Sequence, residues 1–246
     1  MTSSKTPFRG FVDRVKAHQA VAVATVLEGP DGVGSKILFD RSGPLQGSLG
    51  SRDLDALAEA RAKDLLASGR SEIVELAGHR VFIEVHLPPP RLVIVGAVHI
   101  ATVLGRFARE LGFRVVVSDA RGRFATPERF PEVDELILGW PNEVLPRLGL
   151  DEFSYVVVIT HDAKLDNPSL LAALRSPAPY IGALGSSRTH ARRVNALKEA
   201  GATEKEIARI HAPIGLEIGA RAPNEIALAI MAQIVAVRNG AEGGVA

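Results

Sequence analysis

The strongest constraint on this chain is a set of short, almost unbroken apolar runs that stop at glycine or polar residues. Arg91–Val95 (RLVIV) runs into Gly96-Ala97-Val98-His99, and Tyr155–Ile159 (YVVVI) into Thr160-His161-Asp162. Tyr180-Ile181 runs into Gly182-Ala183-Leu184-Gly185-Ser186-Ser187-Arg188. A strand that is apolar on both faces must be covered on both sides, which describes a parallel sheet between helix layers. The segment after the first run has helical period: Ile100, Val103, Leu104, Phe107, Ala108 and Leu111 share one stripe of His99–Leu111. Arg114–Ser118 and Glu135–Leu138 read as further strands, and Tyr180–Ala183 completes the third run. A last helix opens at Pro223, a favoured first position, and carries Ile226, Ile230, Ile234 and Val237. Right-handed crossovers turn this alternation into a Rossmann-like sheet. Ligands of such sheets sit beyond the carboxyl ends of the strands, where strand order reverses.

The first part of the chain reads differently. Phe8–His18 suits a short helix, Val21–Leu27 and Lys36–Phe39 suit strands, and Ser42-Gly43-Pro44 suits a turn. Asp53–Ala67 is helical, with Leu54, Leu57, Ala58, Ala62 and Leu65 on one side. Ile73–Leu76 and Val81–His86 form a hairpin pattern. Leu87-Pro88-Pro89-Pro90 is a stiff link. The expected fold class is therefore α/β. A C-terminal Rossmann-like parallel-sheet domain over residues 91–240 is preceded by a smaller α+β domain over residues 1–87. The glycine-rich end, Asn239–Ala246, is expected to fray.

Several functions are excluded or disfavoured by composition. The 246 residues include no cysteine, which excludes disulfides, thiolate-bound zinc, iron–sulfur clusters and thiol nucleophiles. The seven histidines show no metal-binding spacing, so no protein metal ligand is expected. A net charge of +1 gives no global field to draw nucleic acid or a membrane surface. No apolar run reaches the roughly eighteen residues of a membrane-spanning helix, and Met1–Pro7 is polar. A cytoplasmic location fits these features.

The residues able to carry chemistry lie at the strand ends. Gly96-Ala97-Val98-His99-Ile100-Ala101 occupies the place of a dinucleotide fingerprint, G-x-G-x-x-G/A. Gly96 and the small Ala101 are present, but Val98 replaces the glycine that lets backbone approach a pyrophosphate. Asp119 ends the second strand, in the position of a ribose-binding carboxylate. His99 and His161 follow strands expected on either side of the reversal, and Asp162 either orients His161 or caps the next turn. Ser186 or Ser187 can cap a helix whose free amides suit an anion. Arg188, Arg192 and Arg193 crowd its first turns, which is unfavourable unless an anion sits there; a solvated basic face is the plainer reading. His211–Ala220 is an apolar, glycine-punctuated loop.

Taken in order, VIVGAVHIA, RVVVSDARGRFATPERFP, VVVITHDAKLD, YIGALGSSRTHARR and APIGLEIGARAPNEIALAI resemble the XdhC/CoxI family. These are maturation factors of molybdenum hydroxylases such as xanthine dehydrogenase. The resemblance implies a chaperone that binds molybdenum cofactor (molybdopterin), assists its sulfuration and delivers it to a molybdenum hydroxylase apoenzyme, with a sulfurtransferase as a further partner. No catalytic residue is then needed. Gly96, Val98, His99, Asp119, Arg121, His161, Asp162, Gly185, Ser186, Ser187 and Arg188 become the candidate cofactor-binding set. In it, Ser186–Arg188 take phosphate, His99, His161 and Asp162 face the pterin or metal end, and Asp119 and Arg121 meet a ribose or nucleotide. The first domain diverges. It keeps Ala24-Thr25-Val26, but Gly47-Ser48-Leu49-Gly50-Ser51-Arg52-Asp53 stands where the family has a glycine–cysteine segment. Two rival readings are an NAD(P)-dependent oxidoreductase using Asp119 and His161, and a nucleotide-sensing scaffold without cofactor chemistry. The loop Ile214–Ala220 and the last helix offer a homodimer surface. Nucleic acid and membrane are not expected partners.

Overall fold

The computed structural model describes residues 7–241, so the polar start and most of the glycine-rich end lie outside the described residues. Contacts divide the chain between Pro88 and Pro89 into two compact units.

The first unit runs α1 (Pro7–Lys16), β1 (Val21–Glu28), β2 (Lys36–Asp40), β3 (Gly43–Ser48), α2 (Arg52–Ser68), β4 (Glu72–Leu76) and β5 (His79–His86). Its sheet is antiparallel throughout, in the order β3-β2-β1-β5-β4. Ser51 caps α2 by accepting from Leu54 N–H. The helix buries Leu54, Ala58, Ala62, Leu65 and Leu66 against Ala22, Ala24, Val26, Phe39, Val81 and Ile83. On the other face, Phe11 and Val15 of α1 cover Val21, Val23 and Leu38. Two local expectations are modified here. The turn expected at Ser42-Gly43-Pro44 lies one residue earlier, at Arg41-Ser42, and Gly43 and Pro44 already begin β3. This is an exposed edge strand, where Pro44 is tolerated and no apolar alternation exists to reveal it. Leu57 is 45% exposed and off the packed face of α2.

The second unit runs β6 (Arg91–Val95), α3 (His99–Glu110), β7 (Arg114–Asp119), β8 (Glu135–Leu138), α4 (Pro141–Leu148), β9 (Ser154–Val158), α5 (Ala163–Leu174), β10 (Tyr180–Ala183), α6 (Ser187–Glu199), α7 (Glu204–Ile207), β11 (Ile210–His211) and α8 (Pro223–Arg238). All its strand pairs are parallel, in the order β11-β10-β9-β6-β7-β8. Counted from β6, that is the Rossmann order 3-2-1-4-5-6 read from the far edge. Alternate strand residues feed two cores. Leu92, Ile94, Val115, Val117 and Val157 pack under α3 and α8, and Val93, Val95, Val116, Val156 and Val158 pack under α4, α5 and α6. The expected α/β class, with a Rossmann-like parallel sheet after a smaller α+β part, is the fold observed. The order reverses between β6 and β9, so the ends of these strands and of β10 frame the place where a ligand would sit.

Candidate functional site

The turn after β6 is built around its neighbours. Gly96 has φ +118°, in the region that favours glycine, and a Cβ there would lie 3.0 Å from the carbonyl carbon of Ile159 and from Thr160 N. A side chain is thus excluded where β6 closes on the end of β9. Val98 precedes α3 in extended conformation and gives it no side-chain cap; His99 is exposed. Asp119 is fully buried, and its carboxylate is occupied inside the chain. Oδ2 accepts from Ala97 N–H (2.8 Å) and Arg121 Nη2 (2.8 Å), and Oδ1 accepts from Arg121 N–H and Nε, both at 2.9 Å. Burial pushes this carboxyl up, but the hydrogen bonds from Arg121 and Ala97 outweigh it and hold the group below the usual carboxylate value. Arg121 also lies over the Phe124 ring, 4.5 Å from its centroid. In this conformation Asp119 braces the glycine turn and offers no free oxygen to a ribose.

Beyond β9, Thr160 is buried. Its Oγ1 donates to Asp166 Oδ1 (2.6 Å) and accepts from Asp162 N–H (3.0 Å). His161 follows with φ +62°, a conformation few non-glycine residues adopt, and its side chain is exposed. Of the two roles open to Asp162, the structure shows capping: Oδ1 accepts from Lys164 N–H at the start of α5.

Beyond β10, Gly185 has φ +140°, and a Cβ there would stand 3.1 Å from Thr189 Cγ2. Ser186, not Ser187, caps α6 by accepting from Thr189 N–H. Ser187 and Arg188 are exposed. The three arginines of this helix part ways: Arg188 and Arg192 face solvent, whereas Arg193 is buried. Arg193 Nη2 donates to Asp166 Oδ2 (3.2 Å) and to Leu184 O (3.0 Å), tying α6 to α5 and to the end of β10. A cavity of about 430 Å³ opens beside this pair, lined by His161, Asp166, Asn167, Thr189, Arg192 and Arg193 together with Gly185 and apolar neighbours.

Of the residues singled out in the sequence, His161 and Gly185 thus line one cavity. Gly96, Val98, His99, Asp119 and Arg121 belong to the neighbouring ends of β6 and β7, and Ser186, Ser187 and Arg188 to the exposed start of α6. The sequence reading missed Asp166, Asn167 and Thr189 and did not separate Arg193 from its neighbours. Thr189 and Arg193 are four residues apart, one turn of helix, but so are the exposed Arg188 and Arg192, so spacing alone does not mark the inward face.

A Rossmann order, a glycine turn braced by an acid and a basic pocket beside β10 invite comparison with known proteins. The model of the XdhC Rossmann domain matches residues 92–234, and that of the XdhC and CoxI family matches residues 14–77. The chain belongs to the XdhC/CoxI family. Among curated relatives, it is 35% identical over 165 residues to the uncharacterized protein YqeB of Escherichia coli (strain K12), covering 67% of this chain and 30% of that one. It is 32% identical over 158 residues to a probable xanthine dehydrogenase subunit from Bacillus subtilis (strain 168), covering 64% and 46%. It is 37% identical over 89 residues to the molybdenum cofactor insertion chaperone PaoD of Escherichia coli (strain K12), covering 36% and 28%. The chain therefore spans less than half the length of these relatives. A crystal structure of a xanthine dehydrogenase from Bacillus halodurans superposes with a TM-score of 0.70 at 25% identity, over 94% of this chain and 66% of that one. Among the described residues no helix is long and apolar enough to cross a membrane, and no cluster of His, Asp and Glu is arranged to hold a metal ion.

Proposed function

We propose that this XdhC/CoxI protein is a chaperone that binds molybdenum cofactor and inserts it into a xanthine dehydrogenase-type apoenzyme. The observation that carries this reading is the match of both parts of the chain to one family, together with likeness to a relative named as a cofactor insertion chaperone. The cargo has two ends to accommodate. A phosphate fits the basic end of the crevice, where Ser186, Ser187 and Arg188 open α6 and amides face outward. The metal end meets no thiolate, because the chain has no cysteine; His99, His161 and Asp162 are the groups available to face it. Asp119 and Arg121 reach a nucleotide only if Arg121 turns away from its carboxylate, while Gly96, Val98 and Gly185 shape the backbone around them. The protein's part is to bind, orient and release, with no residue required to make or break a bond. A sulfurtransferase and a second copy of this chain complete the proposed partners, and the cytoplasm is the proposed setting.

The test is the small-molecule content of the protein purified without oxygen from a molybdenum-replete host, with pterin oxidised to its fluorescent form. Near-stoichiometric pterin is expected, and its absence from repeated preparations overturns the reading. One observation favours a second outcome: the Rossmann strand order is intact while the chain has no thiol. Nucleotide without pterin in the same preparation would assign the nucleotide-sensing scaffold. The NAD(P) oxidoreductase is disfavoured by Val98 in the fingerprint and by the engaged carboxylate of Asp119.

A further inference from the structure

We propose that the cavity between α5 and α6, beside the start of α6, is a phosphate pocket, and that the buried Arg193 is its principal cationic ligand. The identity of the cargo rests on the chaperone reading; the pocket itself does not.

Arg193 is 5% exposed and lines the cavity. Its Nη2 is used twice, on Asp166 and on Leu184 O, but its Nη1 is buried with no hydrogen-bond partner. An unmade hydrogen bond on a buried charged donor is costly; Nη1 is closed off from solvent, so a ligand oxygen in the cavity would meet it after a small turn of the guanidinium. The surroundings have the sign an anion needs. Asp166 is the sole carboxylate among the lining residues, and both its oxygens are engaged, one by Thr160 Oγ1 and one by Arg193. Arg192 adds a second cation to the lining, Thr189 and Asn167 add neutral polar groups, and the positive end of α6 lies beside them. By contrast, the glycine turn after β6 is backed by the carboxylate of Asp119 and obstructed by Val98, so the usual Rossmann phosphate seat is the poorer one. One turn before Arg193, His190 Nδ1 is a second buried polar atom without a partner. The volume, about 430 Å³, suits a phosphate with part of the molecule attached to it.

Inorganic phosphate and inorganic pyrophosphate are the probes, titrated calorimetrically into the full chain in sulfate-free buffer. Saturable binding is expected, weakened about tenfold or more by Arg193→Gln, as loss of one charge-assisted bond implies. Removing Arg193 leaves Asp166 buried and unpaired, so the double variant Arg193→Gln/Asp166→Asn, which removes both charges together, is run beside it and should bind as weakly. The unaltered protein gives an independent readout. Burial first, and the Arg193 charge second, hold His190 below its ordinary pKa; bound phosphate should move its NMR titration upward. Tighter binding of pyrophosphate than of phosphate marks a nucleotide-bearing cargo, and the reverse marks a single phosphate. No binding by the wild type, or binding that survives both Arg193 variants, overturns the proposal. Phosphate binding by a protein that never retains pterin leaves this pocket standing and removes only the chaperone reading.

Discussion

At the residue scale, Asp119 shows how one acid can be read two ways. Its place at the end of β7 is that of a ribose ligand, yet Arg121 folds back over it and Ala97 N–H points at it. The sequence places the carboxylate but does not show that the arginine two residues later consumes it. Asp119→Ala should therefore cost about 1–3 kcal/mol of stability, by stranding Ala97 N–H and releasing Arg121. A lower urea midpoint at constant m-value is the measurement; an unchanged midpoint would return Asp119 to the ligand role alone. His211 carries a pH dependence. It stacks on Tyr180 with ring centroids 4.7 Å apart, and burial pushes its pKa below the ordinary value. The unfolded chain then binds the proton more readily than the folded one. Stability from this residue is complete above about pH 6.5 and declines as pH falls from there toward the lower folded pKa. The melting temperature should drop between pH 7.5 and 5.5, and His211→Phe, which keeps the stacking, should flatten that slope. His190, also held low by burial and by Arg193, acts in the same direction, while His79, raised by its hydrogen bond to Asp31, acts in the opposite one.

At the scale of elements, legibility followed burial. β6, β7, β9 and β10 were visible because residues on both of their faces are buried, and α3 and α8 because their apolar residues recur at helical spacing. α4 and α5 are hard to read because each runs continuously through an internal proline, Pro146 and Pro168, which local propensity reads as a break. β11 has only two residues and is held by its register beside Ile181 and Gly182. Strand order lay beyond local pattern altogether, since each crossover joins segments distant in sequence. The same limit applied to the site. Three arginines within six residues look like a solvated face, and only the packing of α6 on α5 decides that Arg193 turns inward. Arg209 is a further case, an arginine that serves as a clamp. Its Nη1 donates to Leu174 O and its Nη2 to Ser176 O and Ala178 O, closing the end of α5 and the turn into β10. Arg209→Ala should cost about 1–3 kcal/mol, and hydrogen exchange should show the loss first in amides of residues 174–180. Uniform loss of protection across the second unit would mean that the clamp is not local.

At the scale of the whole molecule, the most consequential feature is an absence. Sulfur moves between proteins through thiolates and the persulfides or disulfides they form, and this chain has no cysteine to form either. Its two methionines cannot replace one, because a thioether has no ionisable S–H. If the protein hands over molybdenum cofactor, it can carry the group but cannot itself supply the sulfur that the family's target enzymes need. On that reading, holding and sulfurating fall to separate chains, which is the part proposed for the sulfurtransferase. Apoenzyme incubated with this protein and unsulfurated cofactor should acquire pterin yet stay inactive, and should gain activity when a cysteine-bearing sulfur donor is added. Treating this chain beforehand with iodoacetamide should leave pterin transfer unchanged, since it has no thiol to alkylate. Activity restored by this chain alone would mean that sulfur reaches the metal by a route independent of any cysteine here, and the division of labour would fall.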